Sequence, residues 1–269
     1  MSFFQDTLSI FKKNELLFLE SYKESEEVYT FLFEKEKDLT WKAGQHGLFT
    51  ITHKKLKDSI RPFSVASAPT ENVVKITTSI KDTPSEFKKA MLELEKGMKI
   101  KMSGPVGTFY LKDNSPALLI AGGIGITPFR SIVKQIEAER NGAEKQINLL
   151  YMDSKQSYLY QDELDGIANN TSIRITYLES RNDLHQEIDK FTTLYKTNGK
   201  YFIAGSKSMV ESISTYLKNN NVSKRNIKKD AFLGINYIIC WLVPIPPAES
   251  VPPCLERNRS NLSWQLSPI

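Results

Sequence analysis

The order of apolar and polar positions divides the chain into two unlike halves. Leu16–Tyr22 and Glu27–Glu34 are rich in alternating, β-branched and aromatic residues, which predicts two strands joined at Lys23–Glu26. A turn at Trp41–Gly47 leads into a third strand, Leu48–Thr52, and the charged stretch Lys54–Asp58 reads as a loop. Arg61–Ser67 and Val73–Ser79 follow as short strands separated by Ala68–Thr70. In Pro84–Leu94 the apolar residues Phe87, Met91 and Leu94 recur at helical spacing, with Ser85 near the start. Gly97–Ser103 is again a strand. Short strands at close spacing with one helix among them predict an antiparallel barrel over residues 14–112.

The polar stretch Lys112–Pro116 reads as a linker. Beyond it strands and helices alternate. Strands are expected at Ala117–Ala121, Ile147–Met152, Ile173–Leu178 and Tyr201–Ala204, and helices at Pro128–Arg140, Gln161–Ala168 and Ser208–Asn219. Alternation of this kind implies a parallel sheet with helices on both faces, over residues 117–235. The fold class is therefore a two-domain β + α/β chain. Ile235–Val243 is apolar, and residues 244–269 are rich in Pro, Ser and Asn with little periodicity. This tail reads as a disordered, fused or non-native segment without a function of its own.

Composition narrows the function classes. A chain of 269 residues can hold two ordinary domains. The net charge of +5 is spread along the chain with no dense Lys/Arg block, which argues against nucleic-acid binding and leaves room for an acidic protein partner. The only cysteines are Cys240 and Cys254, outside any CxxC pattern, so a disulfide scaffold, a zinc site and an iron–sulfur cluster are not expected. His46, His53 and His185 are scattered and read as surface or turn residues, and no metal site is expected. No apolar run has the length of a membrane span, and the first residues lack the pattern of a secretion signal, so a cytoplasmic protein is expected.

The stretch most suggestive of chemistry is ALLIAGGIGITPFRSI, residues 117–132. An apolar strand is followed by Gly122, Gly123 and Gly125, and then by Thr127 and Pro128, read as N-cap and first residue of a helix. Such a turn suits a phosphate, because free N–H groups and the positive end of the helix dipole point at it. Four further segments flank it in order: Arg61-Pro62-Phe63-Ser64, Gly104-Pro105-Val106-Gly107, Ala204-Gly205-Ser206-Lys207-Ser208-Met209 and Asp230-Ala231-Phe232-Leu233-Gly234. Together the five resemble the ferredoxin–NADP reductase-like family of FAD- and NAD(P)-dependent oxidoreductases, over about Leu16 to Ile235.

The resemblance implies that residues 14–112 bind FAD and residues 117–235 bind NADP or NAD. Arg61 would pair with the flavin diphosphate, Phe63 would lie against the flavin ring or ribityl chain, and Ser64 would offer its hydroxyl near flavin N5. Pro62 belongs to the same motif. Val65, Ala66, Ser67, Thr77, Thr78 and Ser79 would line the flavin by backbone contacts, with Ser85 facing the diphosphate or simply capping its helix. Gly122, Gly123, Gly125, Thr127 and Pro128 would hold the nicotinamide cofactor's pyrophosphate, with Gly205 and Met209 beside it. Asp230 and Phe232 resemble the family's acidic and aromatic pair near the C-terminus, and Ser64 and Asp230 are the expected catalytic residues. The sequence departs from the family where Ala204 replaces Cys, Ser206 replaces Pro and Ile235 replaces an aromatic; Tyr237 or Trp241 would have to cover the flavin instead.

Ser180-Arg181 resembles a pair that meets the 2′-phosphate of NADP, whereas Asp153 at the end of a strand favours the free hydroxyl of NAD; the reading leans to NADP. The activity implied is hydride transfer from NAD(P)H to FAD, with electrons passing to an acceptor such as ferredoxin or flavodoxin. A reductase component of an oxygenase complex, and a flavin-binding redox sensor without efficient turnover, are the alternatives.

Overall fold

The computed structural model describes residues 13–139, 145–231, 256–258 and 263–265. Those up to residue 231 belong to one compact unit. Its first half is a six-stranded antiparallel sheet built from β1 (Lys13–Ser25), β2 (Val28–Glu34), β3 (His46–Ile51), β4 (Ile60–Ser64), β5 (Val73–Ser79) and β6 (Lys99–Val106), in the order β4-β3-β6-β1-β2-β5. The Ala66 N–H donates to the Lys75 carbonyl, so the segment after β4 reaches β5 and the sheet curls towards a barrel. Alternation sets the inner face: Leu16, Phe18, Phe31, Phe33, Phe49, Ile76, Ile100 and Met102 are all buried in one core. Helix α1 (Glu86–Leu92) closes that core with Phe87 and Met91, and Ser85 caps it by accepting the Lys88 N–H.

The second half is a five-stranded parallel sheet of β7 (Ala117–Gly122), β8 (Ile147–Met152), β9 (Arg174–Leu178), β10 (Lys200–Gly205) and β11 (Ile227–Ala231), ordered β11-β10-β7-β8-β9. Helices α2 (Ile126–Glu139), α3 (Gln161–Asn170), α4 (Arg181–Tyr195) and α5 (Lys207–Asn219) connect the strands. Along β7 the side chains divide: Leu119 and Ala121 pack with α2 residues such as Ile132 and Val133, and Leu118 and Ile120 pack with Leu184, Ile188 and Ile213 of α4 and α5. The sheet is thus covered on both faces, as its near-continuous apolar strands require. The strand order reverses between β7 and β10, which is where open α/β sheets place a ligand.

Both sheets are of the expected type, antiparallel in the first half and parallel in the second. The structure corrects three local readings. Helix α4 was not expected, because its buried Leu184, Ile188 and Phe191 stand among charged residues and leave a faint periodicity. Strand β11 was not expected either; its sequence IKKDA is polar for a strand and it lies at the sheet edge. Thr127 is not an N-cap: the 3-10 turn Gly123–Gly125 runs directly into α2 at Ile126, and the Thr127 hydroxyl donates to the Ile124 carbonyl at 3.1 Å. Within the tail, Glu256–Asn258 and Ser263–Gln265 pair as two antiparallel strands, β12 and β13.

Candidate functional site

The glycine turn is dictated by close packing at the point where the strand order reverses. A Cβ on Gly125 would stand 2.2 Å from the Ala204 carbonyl oxygen on β10, so no side chain fits there. Gly123 has φ +53°, a left-handed backbone that glycine adopts without strain, and only an Asp153 carboxylate oxygen lies near its missing Cβ, at 3.6 Å. Gly122 and Gly205, at the ends of β7 and β10, both pack against the Met209 sulfur. The sequence-predicted Gly122, Gly123, Gly125, Gly205 and Met209 are therefore brought together, at the carboxyl ends of adjacent strands. Gly123 and Ile124 also open onto a cavity of about 640 Å³ whose wall includes Lys75, Asp153, Tyr158 and Tyr160.

A second cluster forms where the two sheets meet. Ser64 is the last residue of β4 and Asp230 lies in β11, yet the Ser64 hydroxyl donates to an Asp230 carboxylate oxygen at 3.2 Å. His46 joins them. It opens β3, pairs across the ladder with Ser64, and lays its ring against Gly107, whose Cβ would stand 2.8 Å from the imidazole. His46 is thus not the surface or turn residue expected from sequence. Burial pushes the Asp230 carboxyl up, opposed by the His46 charge and by the Ser64 hydrogen bond. Burial holds the His46 imidazole down, opposed by Asp230. A hydroxyl, a carboxyl and an imidazole in one partly desolvated group are able to hold and pass a proton.

A third cluster is cationic. Arg61, Lys81 and Lys88 lie close enough that Lys81 and Arg61 help burial to hold the Lys88 ammonium below its ordinary range. The Arg61 guanidinium donates to the carbonyls of Asp58 and Ile60, stands 3.9 Å from the Asp58 carboxylate, and lies over the Phe87 ring. Lys88 reaches back to the Ser79 carbonyl. Three cations, with the Asp58 carboxylate beside Arg61, are a donor set suited to a diphosphate. The residues present therefore fit the flavin's phosphates here and a nucleotide's phosphates at the glycine turn.

Several expected contacts are otherwise engaged. Phe63 packs against Phe49 and Phe87, with ring centroids at 6.0 and 5.8 Å, as part of the barrel core. Pro62 pairs with Leu48 in the ladder. The backbone expected to line a flavin is turned inward: the Val65 N–H donates to Gln45, the Ala66 N–H to Lys75, and the carbonyls of Ala66 and Ser67 accept from Arg130 and from Trp41 and Ser131. The Thr77 hydroxyl bonds to those of Thr30 and Tyr160, while Thr78 and Ser79 pair with Tyr29 and Val28 of β2. Ser180 caps α4. Its hydroxyl accepts the Asp183 N–H at 3.2 Å and donates to the Asp183 carboxylate at 2.6 Å, with exposed Arg181 beside it. Thr127 and Pro128 are buried in the first turn of α2. Ser206 caps α5 by accepting the Met209 N–H. Phe232, Ile235, Tyr237 and Trp241 lie outside the described residues.

The sequence reading missed His46, Lys88 and Arg130. Arg130 offered one signal, a charge set inside the apolar run ITPFRSIV, and its side chain is only 3% exposed. Among the described residues no group of three His, Cys, Asp or Glu side chains is placed to hold a metal ion, and no helix is long and apolar enough to cross a membrane.

Comparison with known proteins agrees with this architecture. Residues 119–215 match the family described as oxidoreductase NAD-binding domain. The chain is 23% identical over 197 residues to flavohemoprotein A of Dictyostelium discoideum, covering 68% of this chain and 49% of that protein. It is 27% identical over 188 residues to the ferredoxin–NAD(P)(+) reductase component of the naphthalene 1,2-dioxygenase system of Pseudomonas putida, covering 64% and 56%. The chain thus spans about half the length of these curated relatives. A ferredoxin NADP+ reductase of Neisseria gonorrhoeae with bound FAD and NADP superposes with TM-score 0.66 at 18% identity, over 82% of this chain and 99% of that one. The cytochrome b5 reductase domain of Ulva prolifera nitrate reductase gives 0.68 at 18%, over 82% and 98%.

Proposed function

We propose that this chain, which has the ferredoxin–NADP reductase-like fold and carries an oxidoreductase NAD-binding domain, is a flavin-dependent reductase that takes electrons from a reduced nicotinamide nucleotide. The observation that carries the reading is the meeting of Ser64, Asp230 and His46 where the barrel adjoins the parallel sheet. In this reading residues 14–112 hold FAD, residues 117–235 hold the nucleotide, and the two cofactors supply the hydride and electron chemistry when bound. Arg61, Lys81 and Lys88 neutralise the flavin diphosphate. The turn at Gly122–Gly125, between the carboxyl end of β7 and the first turn of α2, offers backbone N–H groups to the nucleotide's pyrophosphate. Ser64 presents a hydroxyl to the reacting ring edge, and Asp230 and His46 behind it hold the proton balance of that hydroxyl.

Electrons leave to an acceptor that is expected to be an acidic electron-transfer protein of the ferredoxin or flavodoxin type. The mild net charge of +5 suits such a partner, as does the relation to a dioxygenase reductase component. A cytoplasmic location goes with that partner. The test is the visible spectrum of the purified protein, loaded with FAD, before and after NADH or NADPH is added without oxygen. Bleaching of the flavin bands by either nucleotide supports the reading, and a protein that takes up no flavin, or one whose flavin stays oxidised with both, defeats it.

A further inference from the structure

Helix α2 touches both halves of the proposed site. Its N-terminus follows the glycine turn, and its second turn carries Arg130 and Ser131. All five N–H groups of the Arg130 guanidinium are engaged. Nε and Nη2 donate to the two carboxylate oxygens of Glu163 on α3 at 2.8 and 2.7 Å. Nη1 and Nη2 donate to those of Glu71 at 2.9 Å each, and Nη1 also donates to the Ala66 carbonyl at 2.9 Å. Ser131 donates to the next carbonyl along the chain, that of Ser67, at 2.7 Å, which also accepts from the Trp41 indole N–H at 3.0 Å. Ala66 is two residues beyond Ser64. One helical turn of the nucleotide-binding half therefore grips the backbone that presents Ser64.

We propose that Arg130 is a positioning residue for the reductase reaction: it fixes the strand carrying Ser64 relative to the glycine turn, and so sets how the two bound ring systems meet. The inference rests on the function proposed above. Its physical basis is the difference between a charged fork and an apolar contact. Packed hydrocarbon holds two elements together about as well as a buried ion cluster does, because desolvation offsets much of the Coulombic gain. It does so without direction, and neighbouring elements can shift along it. A guanidinium with five directed bonds to two carboxylates and one carbonyl admits one register. The Glu71 and Glu163 charges and the Glu71 hydrogen bond oppose the burial of Arg130 and keep it protonated, and the Arg130 hydrogen bond and charge hold the Glu71 carboxyl below its ordinary range against burial. Hydride transfer depends steeply on the approach of donor and acceptor, with a 1 Å error costing about a hundredfold. Mere binding of either cofactor does not depend on it in that way.

The test uses the full chain loaded with FAD, whose reduction by nucleotide in the wild type first decides the reading above. Arg130→Lys keeps the charge but replaces the fork by a single point. The expected result is a limiting rate of flavin reduction lowered about tenfold to a hundredfold at saturating nucleotide. The nucleotide concentration for half-saturation should change by less than about threefold. The long-wavelength absorbance that reports contact between reduced flavin and oxidised nicotinamide should weaken, a readout that a role in stability alone would leave unchanged. Arg130→Leu combined with Glu71→Gln and Glu163→Gln removes all three charges together, leaving no carboxylate unpaired, and should recover thermal stability without recovering that absorbance. A folded, flavin-loaded Arg130→Lys protein with the wild-type rate and absorbance overturns the proposal. If neither variant holds flavin, Glu163→Gln decides: it keeps the guanidinium with its bonds to Glu71 and Ala66 but loosens one arm of the fork, a smaller loss of rate and absorbance supports the proposal, and wild-type behaviour overturns it.

Discussion

The Ser64 hydroxyl and the Asp230 carboxylate lie 166 positions apart in the chain and meet at 3.2 Å. Ser64 closes a strand of the antiparallel sheet and Asp230 belongs to the edge strand of the parallel one, so this contact exists only when both halves are assembled. The same contact carries a dependence on pH with two opposed parts. Asp230 is raised from its ordinary value of 3.8, mainly by burial. Between 3.8 and the raised value the native carboxyl keeps a proton that the unfolded chain has released, so stability falls as pH rises. His46 is lowered from 6.5, again mainly by burial. Between the lowered value and 6.5 the unfolded chain holds a proton that the native imidazole lacks, so stability rises with pH.

Single substitutions separate the two parts. Asp230→Asn should remove the falling limb and leave the rise due to His46; His46→Gln should do the reverse. Thermal midpoints measured across the acid and neutral range read both limbs. Unchanged profile shapes in both variants would show that neither group titrates as its surroundings dictate.

Arg61 is expected to hold the flavin diphosphate together with Lys81 and Lys88. Removing one charge-assisted hydrogen-bond donor costs ~1.5–3 kcal/mol, so Arg61→Ala should weaken flavin retention ~10–150-fold. Equilibrium titration of flavin-free protein with FAD measures it. Arg61 also caps a local turn through the carbonyls of Asp58 and Ile60, so the fold is checked by the thermal midpoint of the flavin-free variant. Affinity equal to wild type would remove Arg61 from the phosphate site.

Much of this arrangement is legible in the amino-acid sequence, because it rests on local pattern. The run Ala117–Ala121 is apolar because both faces of its strand are covered, and three glycines after it mark a turn packed closely against β10 and Met209. Ser64 and Asp230 are reached through motifs that resemble a family, since nothing local pairs them. What stays hidden depends on partners distant in sequence. His46 looks like a turn residue until Ser64 and Asp230 are placed beside it. Arg130 looks like a polar residue on a helix until Glu71 and Glu163 converge on it from two other elements. Phe63 satisfies the flavin motif by sequence, but the demand of the barrel core for a ring between Phe49 and Phe87 sets its orientation.

The choice of nucleotide follows from which charges are free. The lean towards NADP rests on Ser180 and Arg181. The Ser180 hydroxyl is engaged twice with Asp183, which also brings a carboxylate to that place. Asp153 adds a second carboxylate beside Gly123 on the wall of the cavity. Like charges 4 Å apart repel by about 1 kcal/mol in water and more where solvent is excluded. NADH is therefore expected to be the better donor; Asp183→Ser, beside Ser180 and Arg181, should improve kcat/KM for NADPH several-fold while leaving NADH nearly unchanged, whereas Asp153→Ser, beside the turn offered to the pyrophosphate, should act on both nucleotides alike. Steady-state kinetics with both nucleotides decides; a wild type that prefers NADPH, with that preference lost in Arg181→Ala, would restore the Ser180–Arg181 reading.

Gly125 offers the sharpest test of the glycine turn, because its role is steric and needs no ligand to be argued. An added Cβ would stand 2.2 Å from the Ala204 oxygen, 2.5 Å from the Ala204 carbonyl carbon and 2.8 Å from the Gly205 nitrogen, all of them backbone atoms in a paired strand. Nothing flexible is there to give way, so either the turn lifts off β10 or β10 separates from β7. Overpacking of this kind costs about 1–3 kcal/mol, and Gly125→Ala should lower the thermal midpoint accordingly. Lifting the turn also misplaces the backbone N–H groups offered to a pyrophosphate, so nucleotide affinity should fall further than the loss of stability alone explains, while flavin affinity, set at Arg61 and Lys88, should stay within about threefold. Gly123→Ala makes the contrast. Its Cβ meets nothing closer than an Asp153 carboxylate oxygen at 3.6 Å, and its penalty comes from φ +53° alone. It should cost about 1 kcal/mol of stability and disturb nucleotide binding less than Gly125→Ala does. Equal effects of the two substitutions on nucleotide affinity would mean that the turn's distance from β10 does not set its geometry.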